Sequence, residues 1–314
     1  MPKLVNLGSL CVDHVYRVPA FTRAGESVAS PTHETFPGGK GLNQSIAAAR
    51  SGVEVVHVGC VGEDGGWLKH MLADEGVDVT DLRMIEGSSG HAVIQVNEVG
   101  ENAMVFFGGT NWALAEEDIR GAVARVGSDD WLLLQNEIND IELVLREAAD
   151  RECRVAFNVA PVDGREAGYD LSCVRLLVVN EIEASALAGT DAVSGDWSGV
   201  VARLARRAPE AAIALTLGSA GLVYSDRGSG LVRLPAHAVP VVDETAAGDA
   251  FVGFLIGSLI RGETMEEAVR MGSAAGALAV TRAGAASSIP TLADVRSLVQ
   301  AGEALGSRRA SAKP

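Results

Sequence analysis

Aromatic residues are scarce in this chain. Phe, Trp and Tyr make up 4% of its 314 residues, while hydrophobic residues as a whole reach 47%. A core of that composition must be built from Ala, Val, Leu and Ile, which suits buried strands flanked by helices. Cysteines are few as well. Cys11, Cys60, Cys153 and Cys173 show no C-x-x-C or metal-ligand spacing. That argues against a zinc module or a disulfide framework and fits free thiols in a reducing cytoplasm. Cations are outnumbered, with 26 Lys and Arg against 41 Asp and Glu, for a formal net charge of −15. Long-range electrostatics therefore oppose nucleic acid and anionic membranes as partners. Any anionic ligand must be drawn in locally, by backbone N–H groups, a few cations or a metal. The apolar run Phe251–Ile260 falls well short of the roughly 20 residues a membrane span requires. The Met1-Pro2-Lys3 start leads into a short apolar run stopped by Asp13, which reads as a first strand and not as a signal peptide.

What is abundant is glycine, at 36 residues, and an alternation of strand-like and helix-like segments. Leu4–Leu7, Val53–Val58, Trp131–Gln135, Arg154–Phe157, Leu176–Val179 and Ala212–Leu217 read as buried strands. Two short strands, Leu222–Ser225 and Leu231–Leu234, follow. Helices are expected over Gly41–Arg50, Gly65–Glu75, Ile141–Asp150, Ala247–Ile260, Met265–Thr281 and Leu292–Ala304, the first two closed by Gly52 and Gly76. The pattern predicts an α/β fold with a mostly parallel sheet covered on both faces. Residues 12–36 and 91–107 instead alternate apolar and polar positions, which predicts a small antiparallel lid over the open end of the sheet. With no long linker or internal repeat, residues 1–305 read as a single domain, and 306–314 as a disordered polar tail.

Four segments carry chemistry. In Pro37-Gly38-Gly39-Lys40-Gly41-Leu42-Asn43-Gln44, paired glycines precede a helix, so backbone can approach a ligand at the positive helix end. It is not a Walker A loop, since Lys40 is followed by Gly41. Taken alone, it is equally a plain turn-to-helix junction. In Thr245-Ala246-Ala247-Gly248-Asp249, three small residues open an apolar helix, and the N–H groups of Ala246, Ala247 and Gly248 would make an anion hole. Asp249 then reads as a general base beside a phosphate, or simply as an acid favoured by the helix dipole. Asn180 and Glu183 share one face of a new helix and offer hard oxygens for Mg²⁺ through water, though an ordinary helix start has the same form. Thr216-Leu217-Gly218-Ser219-Ala220-Gly221 is a glycine turn at a strand end that could line a nucleotide. Among other polar residues, His14 and His33 of the lid read as surface or structural, and His57 as a satisfied core residue.

These segments, in this order, resemble the ribokinase family of carbohydrate kinases. Gly8-Ser9-Leu10-Cys11-Val12-Asp13-His14, Glu137, Asn158-Val159-Ala160-Pro161 and Val280–Ala285 extend the resemblance over nearly the whole chain. It implies a three-layer α/β/α domain with a β-sheet lid that often makes a homodimer. It implies transfer of the γ-phosphate of ATP to a hydroxyl of a small sugar, ribose foremost, with Mg²⁺. Cys11, Asp13, Gly39, Lys40, Asn43 and Glu137 would hold the sugar, with Asp249 as base. Asn180, Glu183, Thr216, Gly218, Ser219, Gly221 and Gly248 would lie near Mg²⁺–ATP. A monovalent cation, K⁺ foremost, would sit at Asp243, Thr245, Ala279, Arg282, Gly284 and Ser288, mostly on backbone carbonyls. Two positions depart from the family. Cys11 stands where ribokinases typically carry Asn, which leaves the sugar open. Ala246 stands where many relatives carry Gly or another small residue, a change expected to be harmless. The alternatives are a kinase for a nucleoside, ketose or keto-deoxy sugar acid, or a non-catalytic sugar- or nucleotide-binding regulator. The intact Asp249, anion hole and Asn180/Glu183 pair argue against the last.

Overall fold

Short apolar segments with almost no charge are committed to strands buried on both faces. The computed structural model describes residues 1–190, 195–227 and 230–311. Its first third holds β1 (Leu4–Leu7), β2 (Cys11–Arg17), β3 (Thr32–Gly38), α1 (Lys40–Arg50), β4 (Val55–Val61), α2 (Gly66–Asp74), β5 (Leu82–Met84), β6 (Gly90–Val96) and β7 (Asn102–Phe107). Next come α3 (Glu116–Ala124), β8 (Trp131–Gln135), α4 (Ile141–Asp150), β9 (Arg154–Asn158), β10 (Val174–Asn180), α5 (Glu181–Ala188) and α6 (Trp197–Arg207). Last are β11 (Ala212–Thr216), β12 (Leu222–Ser225), β13 (Val232–Leu234), α7 (Ala247–Ile260), α8 (Met265–Ala279) and α9 (Leu292–Ser311). The last helix thus enters the segment expected to be a tail, and 312–314 lie outside the described residues.

The large sheet runs β13-β12-β11-β10-β9-β8-β1-β4-β5, parallel from β11 to β5, with β12 and β13 antiparallel at one edge. Helices cover both faces. On one, Leu4, Leu133 and Val178 pack under α1, α2, α7, α8 and α9. On the other, Val5, Leu7 and Leu134 pack with α3, α4, α5 and α6. Strand alternation then places Asn6, His57, Gln135 and Asn158 on the α1 face, among apolar neighbours, and each is buried.

The second sheet, β3-β2-β6-β7, is the lid. It is mixed and not purely antiparallel, because β2 and β6 pair in parallel, with Asp13 opposite Ala92. Such a pair needs a long crossover, and the whole of α1–β5 supplies it. Every residue of β7 is exposed, including Met104, Val105, Phe106 and Phe107. His14 and His33 do form a surface pair, Nδ1 to Nε2 at 3.0 Å.

Helix α1 makes unusually close approaches in two directions. A Cβ on Gly41 would lie 2.3 Å from the Ser9 nitrogen, and one on Gly8 would lie 2.8 Å from the Gly41 Cα. Against α7, a Cβ on Gly253 would lie 2.3 Å from the Ala47 Cβ, and one on Gly257 would overlap the Ser51 hydroxyl. Small residues are thus required where α1 crosses α7. Gly253→Ala should destabilise the protein by about 1–3 kcal/mol through overpacking, despite the better helix propensity of Ala. Gly121→Ala in the exposed face of α3, where a Cβ meets nothing, should be neutral or stabilising by up to about 1 kcal/mol. Urea midpoints for the two variants check the difference in sign.

Candidate active site

Asp249 lies in the first turn of α7, is 9% exposed, and meets α1 where the helices cross. Its Oδ2 accepts from Asn43 Nδ2 at 3.0 Å and its Oδ1 from Gln44 Nε2 at 2.9 Å. Consecutive helical residues point about 100° apart, so neighbours on α1 can each reach a different oxygen of one carboxylate. Behind Gln44 a polar chain continues into the sheet. Gln44 Nε2 also donates to Asn158 Oδ1 (2.9 Å), and Gln135 Nε2 donates to Gln44 Oε1 (2.8 Å) and Asn6 Oδ1 (3.0 Å). Asn6 Nδ2 donates to Ser45 Oγ (2.8 Å), which bonds His57 Nδ1 (2.8 Å). His57 is buried as expected of a core residue, and burial pushes its pKa down to about 4 against a hydrogen bond to the Gly8 backbone that raises it. Asn43 Oδ1 is buried without a hydrogen-bond partner. A hydroxyl donor would satisfy it.

The diglycine is shaped by Asp13. A Cβ on Gly38 would sit 2.3 Å from Asp13 Oδ2, and Gly39 has φ +92°, the left-handed region that favours glycine. Burial, then the neighbouring Glu137, push the Asp13 carboxyl up to about 7, with Lys40 opposing. Glu137 has a double role. Its Oε2 accepts from Ser9 Oγ (2.5 Å) and from the Lys40 backbone N–H (2.9 Å), so it caps the start of α1. Its Oε1 is 3.9 Å from Lys40 Nζ. Burial works against the Lys40 charge, yet Glu137, Asp249 and Glu183 together hold its ammonium above the ordinary range. Cys11 is buried. Burial, followed by the charges of Glu137 and Asp13, raises its thiol well above the usual value, and Asn111 Nδ2 approaches its Sγ at 3.5 Å.

Asn180 and Glu183 form a reciprocal cap at the start of α5: Glu183 N–H donates to Asn180 Oδ1 (2.9 Å), and Asn180 N–H to Glu183 Oε2 (2.8 Å). The helix-start reading is therefore correct as local structure. It does not compete with an electrostatic one, since burial raises the Glu183 carboxyl while Lys40 lowers it and Asp249 raises it. Thr216 ends β11, and Gly218 (φ +52°), Ser219 and Gly221 (φ +93°) build an open turn beside it. At the start of α7, Ala246 is left-handed, φ 60° and ψ 9°. The change expected to be harmless thus carries about 1–2 kcal/mol of backbone strain. The Ala247 N–H makes a long turn bond to the Glu244 carbonyl at 3.3 Å.

Asp243 joins two loops. Its Oδ1 accepts from the Thr245 N–H (2.9 Å) and hydroxyl (2.6 Å), and its Oδ2 from the Gly284 N–H (2.9 Å). Partial burial disfavours its charge, but these bonds hold its carboxyl below the usual value. Ser288 is buried, with Oγ donating to the Ala285 carbonyl at 2.8 Å. Arg282 caps α8 through its N–H on the Ala279 carbonyl (3.1 Å), and its guanidinium lies 3.5 Å from Asp294. The Arg282 side chain thus links the end of α8 to α9. The structure thus gathers Asp13, Lys40, Asn43, Glu137, Asp249 and Glu183 into one charged cluster. The sequence reading assigned no role to Gln44, Asn111 or Gln135. Gln44 closes the GGKG segment and was the one within reach of a motif.

A family model described as pfkB family carbohydrate kinase matches residues 1–292. The chain is 35% identical over 293 residues to a ribokinase of Haemophilus influenzae, covering 92% of this chain and 95% of the relative. The ribokinase of Cryptococcus neoformans var. grubii serotype A in complex with ADP superposes with a TM-score of 0.83 at 29% identity, covering 95% of this chain and 99% of the other. Arabidopsis thaliana ribokinase complexed with ribose and ATP gives 0.82 at 28% identity, covering 95% and 98%.

The raised Asp13 has a sign that can be checked. A carboxyl whose folded pKa is about 7, against an ordinary 3.8, binds its proton more tightly folded than unfolded. Stability therefore falls as pH rises from 3.8 through 7, and the full cost of the charge is present above 7. Asp13→Asn should raise Tm, and raise it more at pH 8 than at pH 5. Thermal melts at the two pH values test this, and a Tm gain no larger at pH 8 contradicts it.

Proposed function

The chain belongs to the pfkB family of carbohydrate kinases, and from that premise we propose that it transfers the γ-phosphate of ATP to the 5-hydroxyl of ribose. The observation that carries the reading is the Asp249 carboxylate, held on both oxygens by Asn43 and Gln44 at the positive start of α7. Beside it, Asn43 Oδ1 lacks a partner that a sugar hydroxyl would provide.

In the reaction, Asp249 takes the proton of the attacking hydroxyl as that oxygen bonds to the γ-phosphorus, and the bond to the ADP oxygen breaks. The N–H groups of Ala246, Ala247 and Gly248 face the charge that develops on the phosphoryl oxygens, and a bound phosphate outcompetes the long Ala247 turn bond. Asp13, Gly39, Lys40, Asn43 and the free side of Glu137 hold the remaining hydroxyls. Thr216, Gly218, Ser219 and Gly221 line the nucleotide. Asn180 and Glu183 would hold Mg²⁺ through water, a fit supported by the hard oxygens of a reciprocal cap whose carboxylate is buried beside the cluster. That ion would neutralise phosphate charge. One carboxylate, Asp243, and the carbonyls of Thr245, Ala279, Arg282 and Gly284 beside Ser288 form a donor set suited to a large monovalent cation such as K⁺. It would order the anion hole without touching sugar. The exposed Met104, Val105, Phe106 and Phe107 support a homodimer formed through the lid, and the four free thiols fit a reducing cytoplasm.

A coupled ATPase assay over pentoses, hexoses and nucleosides tests the substrate, and kcat/KM should be highest for ribose. A far higher value for another acceptor would assign Cys11 to that acceptor instead. Asp249→Asn should lower kcat by about 10²–10⁴-fold with ATP binding intact; a variant keeping more than about a third of wild-type kcat would remove Asp249 as the base. K⁺ should raise kcat more than it changes the sugar KM, and equal rates in Na⁺, K⁺ and large organic cations would refute the cation site.

A further inference from the structure

The polar chain under α1 ends on the base, and behind the Gln44 bond to Asp249 none of its members has been given a role above. Resting on the kinase reading, we propose that Gln44 is a positioning residue for Asp249, and that Gln135 fixes the sense in which Gln44 acts. The last torsion of an aspartate is a broad, two-fold well. Helix α7 therefore locates the carboxyl carbon of Asp249 without orienting its oxygens. Two N–H donors on different oxygens do orient them, and Asn43 and Gln44 supply one each.

An amide can present either its NH₂ or its oxygen, and an oxygen turned toward the carboxylate would repel it. Gln44 cannot turn. Its Oε1 accepts from Gln135 Nε2, and its Nε2 also donates to Asn158 Oδ1. Gln135 is fixed in turn, since the same nitrogen donates to Asn6 Oδ1. Asn6 is fixed by the Gly41 carbonyl, which accepts from its Nδ2 at 2.8 Å, and Asn158 by the Val178 carbonyl, which accepts from its Nδ2 at 3.2 Å. Backbone carbonyls only accept. Two of them therefore set the direction of every side-chain bond up to Asp249. Asn6, Gln44 and Gln135 are fully buried, so water does not compete for these donors.

The test uses Gln44→Met and Gln135→Met, each alone and in an Asp249→Asn background, with kcat, both KM values and Tm measured. Gln44→Met should lower kcat by about tenfold to a hundredfold, the cost of a misplaced catalytic group, with the KM values for ribose and MgATP within about threefold. Gln135→Met, which does not touch the carboxylate, should lower kcat by about three- to tenfold in the same manner, and it carries the test should Gln44→Met not fold. With Asp249 replaced by Asn, neither change should alter the residual rate by more than about twofold, because the carboxylate they orient is gone. Full kcat in both single variants, or the same loss in both backgrounds, overturns the inference while an inactive Asp249→Asn leaves the base in place. An active Asp249→Asn overturns the base assignment and this inference with it.

Discussion

The distance at which α1 can lie from its neighbours governs the rest of the site. Side chains would hold α1 off α7 and off the turn after β1, and glycines at Gly8, Gly41, Gly253 and Gly257 remove them. Only at that spacing do the short amides of Asn43 and Gln44 reach Asp249, more than 200 residues along the chain. The same spacing brings the N-terminus of α1 onto Glu137, which caps it. Lys40, Asn43, Gln44 and Asp249 are thus positioned by backbone contact between rigid elements. Such placement is more exact than loops provide.

The site works against the stability of the chain that carries it. Asp13 and Glu183 are held in surroundings that disfavour their charge, and Ala246 occupies a strained left-handed conformation. In a protein with a net charge of −15, one ammonium, Lys40, interacts with Glu137, Asp249 and Glu183 at once. Its charge lets those acids coexist in the free protein. Bound phosphate adds further negative charge, which is why a divalent ion and helix N–H groups must share that load.

The strands and the order of the motifs were legible because each rests on local chemistry: apolar runs, glycines before a helix, small residues before an acid. Sheet order, the parallel β2–β6 pair and the polar chain were not, since they depend on which distant segments meet. Asn6, His57, Gln135 and Asn158 each look like an isolated polar residue in an apolar strand. Only the register of four parallel strands sets them on one face beneath α1. Helices α3 and α6 were passed over for a different reason, as polar segments whose buried stripe is only three residues wide. At Asn180–Glu183 and at Glu137 a capping role and a place in the charged cluster coexist. Both are helix caps, and both carry a charge that interacts with Lys40.

On the proposed reading, part of the recognition lies apart from the chemistry. Cys11 and Asp13 stand on β2 in the lid sheet, with Asn111 approaching the Cys11 sulfur from the segment after β7. Asp249 and its amide supports stand on α7, α1 and the central strands. A thiol donates and accepts weakly compared with an amide, so replacing Asn by Cys at position 11 changes how one acceptor hydroxyl is received. It leaves every bond to Asp249 untouched, because no hydrogen bond in the chain from Gly41 to the carboxylate passes through β2. On the proposed reading, acceptor contacts can therefore change at β2 while Asp249 remains oriented, and a departure at Cys11 is compatible with an intact Asp249 site. The constraint in the other direction is strict: α1 carries both Asn43 and Gln44, so a shift of that helix to suit a larger acceptor would release the base.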